Sequence, residues 1–286
     1  VTTASYAFRI VNVFAEERLA GNPLAVFDDA RGLDDATMQA LALQFNLSES
    51  TFILPSTRAS ARVRIFTPTF EMPFAGHPTL GTAHVVRALR GGDALTLEMQ
   101  AGIIPVHARG DVWTLQANAP RTRSVAASRD ELAAMLGLDA ADIGANPLWV
   151  DTGSEQLLIP LASVHAVRRC QPQADLLARH GSVALSGGGT RAMAHVWAEV
   201  APDGVLARFF FLKHGAVIED PGTGSACANL GGWLVATGAP LPQTRTVAQG
   251  EAVGRRCRLG LSVDAVGRIF VSGQVIELGR GTIALA

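Results

Sequence analysis

Two glycine-bearing stretches, far apart in the chain, hold residues suited to gripping an anion. Phe74-Ala75-Gly76-His77-Pro78-Thr79-Leu80-Gly81-Thr82-Ala83-His84 reads as a tight turn running into a helix, and Asp220-Pro221-Gly222-Thr223-Gly224-Ser225-Ala226-Cys227-Ala228-Asn229 has the same build. The first turn of a helix leaves amide N–H groups without intrahelical acceptors and carries partial positive charge, so each mouth suits a carboxylate. Gly76, Gly222 and Gly224 let backbone approach a ligand, Pro78 has the φ of a first helical residue, and Thr79 or Ser225 would add a hydroxyl donor. Two such mouths facing one another would clamp a small carboxylate. Taken singly, either stretch reads better as a shaped turn with a capping hydroxyl; recurrence in both halves shifts the balance toward a paired site.

A proton-transfer group is available as well. Glu49 sits in Ser48-Glu49-Ser50-Thr51-Phe52-Ile53-Leu54-Pro55, where the residues after it read as a strand, so the carboxylate stands at a strand mouth. Partial desolvation there would favour its protonated form and suit it to general acid/base work; the commoner fate of such a residue is an exposed loop. Glu71 and Glu155 compete with it, and Ser154-Glu155-Gln156-Leu157-Leu158-Ile159-Pro160 is so alike locally that pattern does not exclude Glu155. His77 is expected to be neutral beside the positive helix end, and so a hydrogen-bonding group or a cap. Asp220 would either satisfy amides at the second mouth or meet the substrate.

Other chemistries find less support. His77 and His84 are seven residues apart, not the i, i+4 spacing of helix-borne zinc ligands, so no metal is expected and His84 should be packed. Cys170, Cys227 and Cys257 show no C-x-x-C spacing and suit a reducing cytoplasm. Lys213, the only lysine, falls on a strand-like run and makes a poor pyridoxal anchor. Gly187-Gly188-Gly189-Thr190-Arg191-Ala192 has the form G-x-G-x-x-A, but a strand follows it instead of a helix, so it reads as a flexible turn. Gly222 to Ser225 lacks the Gly-Lys-Ser/Thr of a nucleotide phosphate loop, and no serine sits in G-x-S-x-G. No cofactor is expected.

Many short elements must position these residues. Phe8 to Val13 and Leu24 to Phe27 form an opening hairpin through Gly21-Asn22-Pro23; a helix capped by Asp34 or Asp35 runs to Asn46; strands follow Glu49 and span Arg62 to Phe66. After the first glycine loop and its helix come strands Leu95 to Met99, Ile103 to Ala108 and Val112 to Gln116, then a linker from Asn118 to Ala127. The second half repeats these habits: a capping box at Ser128 to Glu131, strand Leu157 to Ile159, a helix after Pro172, strand Ala192 to Val200, turn Pro202-Asp203-Gly204, strands Val205 to Leu212 and Ala216 to Glu219, then the second loop and helix. Strands Arg245 to Ala248, Arg258 to Val263, Arg268 to Val271 and a tail strand Gln274 to Leu278 close the chain. This pattern predicts an α+β fold of two units, each a curled antiparallel sheet around one helix.

Composition agrees. The 286 residues are long enough for roughly two domains, and 48% apolar content fills two cores. Charged residues are only 17%, below the roughly 25% of typical soluble proteins, so an oligomer is plausible. With net charge −1 and scattered basic residues, no nucleic-acid or anionic-membrane footprint is present. Val1 to Ile10 does not read as a secretory signal. Pro221 to Thr244 is uncharged but broken by Gly, Pro, Asn and Ser, which makes it a poor membrane span and a good buried helix.

Taken together, Gly21-Asn22-Pro23, Ser48-Glu49-Ser50-Thr51-Phe52, Phe66-Thr67-Pro68 with Glu71, the first glycine loop, and Glu219-Asp220-Pro221 with Thr223-Gly224-Ser225-Ala226 resemble the phenazine-biosynthesis PhzF-like isomerase family over nearly the whole chain. The resemblance implies a diaminopimelate epimerase-like fold of two similar domains, taken as residues 1–120 and 121–273 with the tail 274–286 free to return to the first, commonly as a homodimer. It implies cofactor-independent proton transfer on a small carboxylate, with Glu49 matching the acid/base and His77, Asp220 and Ser225 its polar partners. Asn22, Gly76, Thr79, Gly222, Thr223 and Gly224 are then the expected substrate-binding residues. The two cysteines of related racemases align with Ala75 and Pro221, which do not ionise, so two-thiol racemisation is disfavoured. A module that binds a small anion or another protein without turnover is the alternative on the same fold.

Overall fold

The computed structural model describes residues 4–184, 189–201 and 203–285 of the chain. They fall into two compact units: Val1–Gln116 with Ser272–Ala286, and Ala117–Val271. Gly187 and Gly188 of the glycine run, and Pro202 of the expected turn, lie outside the described residues.

In the first unit β1 (Ala4–Val13) pairs antiparallel with β2 (Asn22–Phe27). Helix α1 (Asp35–Phe45) starts where the Asp34 carboxylate accepts from Thr37 N–H, and stops at Asn46 in the left-handed region at φ 50°. It returns the chain to β3 (Glu49–Leu54), parallel to β2, and β3 pairs antiparallel with β4 (Ala61–Phe66). The two-residue β5 (Glu71–Met72) folds back on β4 and leads into α2 (Gly76–Arg90). Then β6 (Ala94–Met99) lies parallel to β4, and β7 (Gly102–Arg109) and β8 (Val112–Gln116) follow as antiparallel neighbours. Helix α2 packs against β1, β2, β3, β4, β6 and β8, and every residue from Gly76 to Ala83 is buried. Such burial explains its uncharged, small-residue start: a Cβ at Gly81 would fall 2.6 Å from the Leu24 side chain.

The second unit opens with β9 (Arg121–Ser124), which corrects the expected linker. Its four exposed residues carry no apolar alternation, so only pairing with β10 makes them a strand. Helix α3 (Arg129–Leu136) begins on the expected Ser128/Glu131 capping box. Next come β10 (Leu148–Asp151), antiparallel to β11 (Glu155–Pro160), then α4 (Val164–Arg169), α5 (Ala174–His180) and the short β12 (Ser182–Ala184). Strand β13 (Thr190–Ala201) runs parallel to β11 and antiparallel to β14 (Gly204–Lys213), and β15 (Ala216–Asp220) folds back on β14 before α6 (Gly224–Ala236). Finally β16 (Gln243–Gln249) lies parallel to β14, with β17 (Cys257–Val263) antiparallel to it.

The last element, β18 (Ile269–Leu285), is one long strand where two were expected, and its later part pairs with β1 from Ala4↔Leu285 to Val13↔Val275. Gly273 sits where a break was expected, and there it serves packing: an added Cβ would strike the Phe14 ring. Among the described residues no helix is long and apolar enough to cross a membrane.

Candidate active site

The first unit gathers Glu49, His77 and Asn22. Glu49 opens β3, His77 is the second residue of α2, and Asn22 opens β2. The turn before Asn22 needs Gly21, at φ 82°, because a Cβ there would press 2.7 Å from both Ala15 Cβ and the Val13 carbonyl oxygen. The Thr82 hydroxyl donates to Thr51 Oγ1 at 2.8 Å, tying α2 to the strand that carries Glu49. His77 Nε2 then lies 3.4 Å from Glu49 Oε2, the two side chains being 6% and 15% exposed.

This contact is not an ion pair. Burial holds the His77 imidazolium down to a pKa of about 3, so the ring is neutral near pH 7. Neutrality was expected from the helix end; desolvation is the cause. Asn22 Nδ2 lies 3.5 Å from His77 Nδ1. Asn22 is fully buried. It sits beside His77.

Thr79 is also fully buried, and its hydroxyl donates to the Ala75 carbonyl at 2.6 Å. The donor expected for substrate is used inside the helix. Pro78 is the third helical residue where the first was expected, still within the turn whose amides lack intrahelical acceptors. Ala75, the N-cap, offers no capping side chain, so Gly76 and His77 present their amides at the mouth.

The second unit gathers Asp220, Thr223 and Ser225. Asp220 ends β15, and its carboxylate accepts a short hydrogen bond from the Thr223 hydroxyl. Thr223 is the N-cap of α6, yet its side chain serves Asp220 and leaves the helix uncapped. Gln249, 2% exposed at the end of β16, clasps this loop: Nε2 donates to the Asp220 carbonyl at 2.8 Å and to Thr223 Oγ1 at 3.0 Å, while Oε1 accepts from Thr223 N–H at 3.3 Å. Gly250, at φ 81°, lets the strand end come this close, since a Cβ would fall on the carbonyl oxygens of Pro221 and Arg255. Ser225, half-buried, accepts from Gln156 Nε2 at 2.9 Å. Gly222 and Gly224 flank Thr223 and are buried.

The competing acids are occupied. Glu71 receives two bonds from Arg64, at 2.7 and 2.6 Å, and Glu155 two from Arg123, at 2.7 and 3.2 Å. His84 is half-buried. Cys227 lies inside α6 at 1% exposure, where burial raises its thiol pKa well above the usual range. Gln156, Asn229 and Gln249 escaped the sequence reading because uncharged amides carry no motif; only the strand period, which sets Gln156 and Glu155 on opposite faces, hinted at Gln156.

The sequence pattern of the phenazine biosynthesis-like (PhzC-PhzF) proteins matches residues 11–280. The chain belongs to that family. It is 41% identical to an uncharacterised isomerase of Pasteurella multocida, covering 97% of this chain and 94% of that one. It is 34% identical to the trans-2,3-dihydro-3-hydroxyanthranilate isomerase of Pseudomonas fluorescens, covering 96% and 98%. A solved structure of the PhzF family from Bacillus anthracis superposes with a TM-score of 0.85 at 23% identity, covering 99% of this chain and 100% of that one. The mostly-sheet fold is therefore the family's fold, and the whole-length match to isomerases makes this family member an isomerase.

Proposed function

We propose that this isomerase moves a carbon-bound proton on a small carboxylate substrate bound by helix N-terminal amides, without a cofactor, with Glu49 as general acid/base. One observation carries the choice of Glu49: its carboxylate sits at the α2 mouth, 3.4 Å from the buried His77 ring. The Glu49 carboxylate takes the proton from carbon, the electron pair passes into the adjacent π system, and Glu49 returns the proton to another carbon. His77, 3.4 Å from the Glu49 carboxylate, helps orient the substrate and stabilise developing charge. Asp220 and Ser225 orient the substrate, and the amides of the two mouths stabilise negative charge. The same proposal reads each unit as a curled sheet around a central helix, as in diaminopimelate epimerase-like proteins.

The first compound to try is the one named for the Pseudomonas relative, trans-2,3-dihydro-3-hydroxyanthranilate. Incubated in heavy water with the protein, it should isomerise and take up deuterium, and Glu49→Gln should abolish both. Undiminished exchange in that variant would remove Glu49 from the role.

A further inference from the structure

The second unit contains a buried chain of amides that ends on Ser225. Asn229, fully buried in α6, uses all of its hydrogen-bonding capacity: Oδ1 accepts from Thr152 N–H at 2.9 Å and from the Thr152 hydroxyl at 2.7 Å, while Nδ2 donates to the Ser154 carbonyl and to Gln156 Oε1, both at 2.8 Å. A backbone N–H only donates and a carbonyl only accepts, so two backbone groups dictate which way this amide faces. With Asn229 fixed, Gln156, 2% exposed, must turn Oε1 toward it and Nε2 toward Ser225, 2.9 Å away. Ser225 Oγ therefore accepts from inside, and its own proton is directed elsewhere.

We propose that Thr152, Asn229 and Gln156 are positioning residues that set the polarity of Ser225, making its hydroxyl a hydrogen-bond donor to substrate. This rests on the reading above that Ser225 meets substrate, and it narrows the substrate class: with Gln156 donating to Oγ from inside, the Ser225 proton is free to point outward, so the group it meets is an acceptor, such as a carboxylate oxygen. The chain also explains why a neutral Gln stands one residue after Glu155. A carboxylate at 156 would accept from Ser225 and draw the hydroxyl proton inward.

Kinetics on trans-2,3-dihydro-3-hydroxyanthranilate test this with Ser225→Ala, Gln156→Glu, Gln156→Met and the Ser225→Ala/Gln156→Glu double variant, each first checked for a native melting transition. Ser225→Ala should raise KM about tenfold, the loss of one hydrogen bond to a charged group. Gln156→Glu should raise KM at least as much, Gln156→Met less, and the double variant no more than Ser225→Ala, because the change acts through that hydroxyl. An unchanged KM in Ser225→Ala would defeat the substrate contact itself. A tenfold rise there with a wild-type Gln156→Glu, or with additive effects in the double variant, would defeat the polarity proposal alone. Side-chain amide exchange by NMR reads the same arrangement without turnover: the Asn229 NH₂ pair and one Gln156 proton should be strongly protected, and rapid exchange of all of them would also overturn it.

Discussion

The two units share one strand plan and differ at the position of Glu49, the acid/base proposed above. In the first, β1–β2, β2 parallel to β3, β3–β4 with the β5 hairpin, β4 parallel to β6, and β6–β7 follow in turn. In the second, β10–β11, β11 parallel to β13, β13–β14 with the β15 hairpin, β14 parallel to β16, and β16–β17 repeat the series. Both hairpins carry the same fastening. Arg64 binds Glu71 and lies over Phe66 at 5.0 Å, and Arg208 binds Glu219 and lies over Phe210 at 4.7 Å. Those anchors fix a residue-level correspondence. Since Ser50 pairs with Phe66 and Ala194 with Phe210, Glu49 corresponds to Met193. Since Ala25 pairs with Ser50 and Leu157 with Ala194, Glu155 corresponds to Pro23. The likeness between the Glu49 and Glu155 segments is therefore a likeness of neighbours in sequence between non-equivalent strands. The repeated strand plan carries a carboxylate at this position in the first unit and a thioether in the second.

The sharpest way to break that comparison is Glu49→Gln, expected to slow deuterium exchange by about 10²- to 10⁴-fold, the usual worth of a general acid/base. A loss under tenfold would leave no privileged carboxylate. Next comes the loop that faces no such acid. Gln249→Leu strands the Asp220 carbonyl and the Thr223 amide, and urea unfolding should show a loss of about 1–3 kcal/mol with a lower kcat/KM; unchanged kinetics would mean that the clasp serves stability alone.

A third measurement compares the buried histidines, one in each unit. His195 on β13 is fully buried beside Phe209, neither ring nitrogen has a hydrogen-bond partner among the described residues, and burial lowers its pKa to about 3, as it does for His77. Between pH 6.5 and about 3 the unfolded chain binds these protons and the folded chain does not. Stability is thus full above 6.5 and falls with pH below it, by about 1.4 kcal/mol per pH unit for each histidine once the unfolded form is protonated. His195→Phe should lower that slope by one such contribution, measured by urea unfolding from pH 7 to 4; an unaltered slope would deny that His195 is held neutral. The smallest effect is expected of Glu155→Gln, within about twofold of wild-type kcat/KM, since its salt bridge is partly exposed and worth under about 1 kcal/mol. A large loss would return Glu155 to contention as the acid/base.

Much of this was legible in the sequence. Alternation and caps gave α1, α3 and most strands, because an apolar stripe and a side-chain N-cap are local signals. Strand β9 was not, since its pairing with β10 is a tertiary fact. At the site, the glycine loops and Glu49 stood out by residue type. The rest depends on what lies behind them: Asn22 and Thr79 turn inward because burial closes over them, and Gln156, Asn229 and Gln249 act only through partners up to 77 positions away.

The long β18 has a consequence for biosynthesis. The second unit is one uninterrupted run of chain, while the first is built from both flanks of it and holds β1 against the far end of β18. On a ribosome the second unit can fold while the first still waits for its closing strand, reversing the usual N-to-C order. Until then β1 stays an open edge, the stage at which a nascent chain most needs shielding from its neighbours.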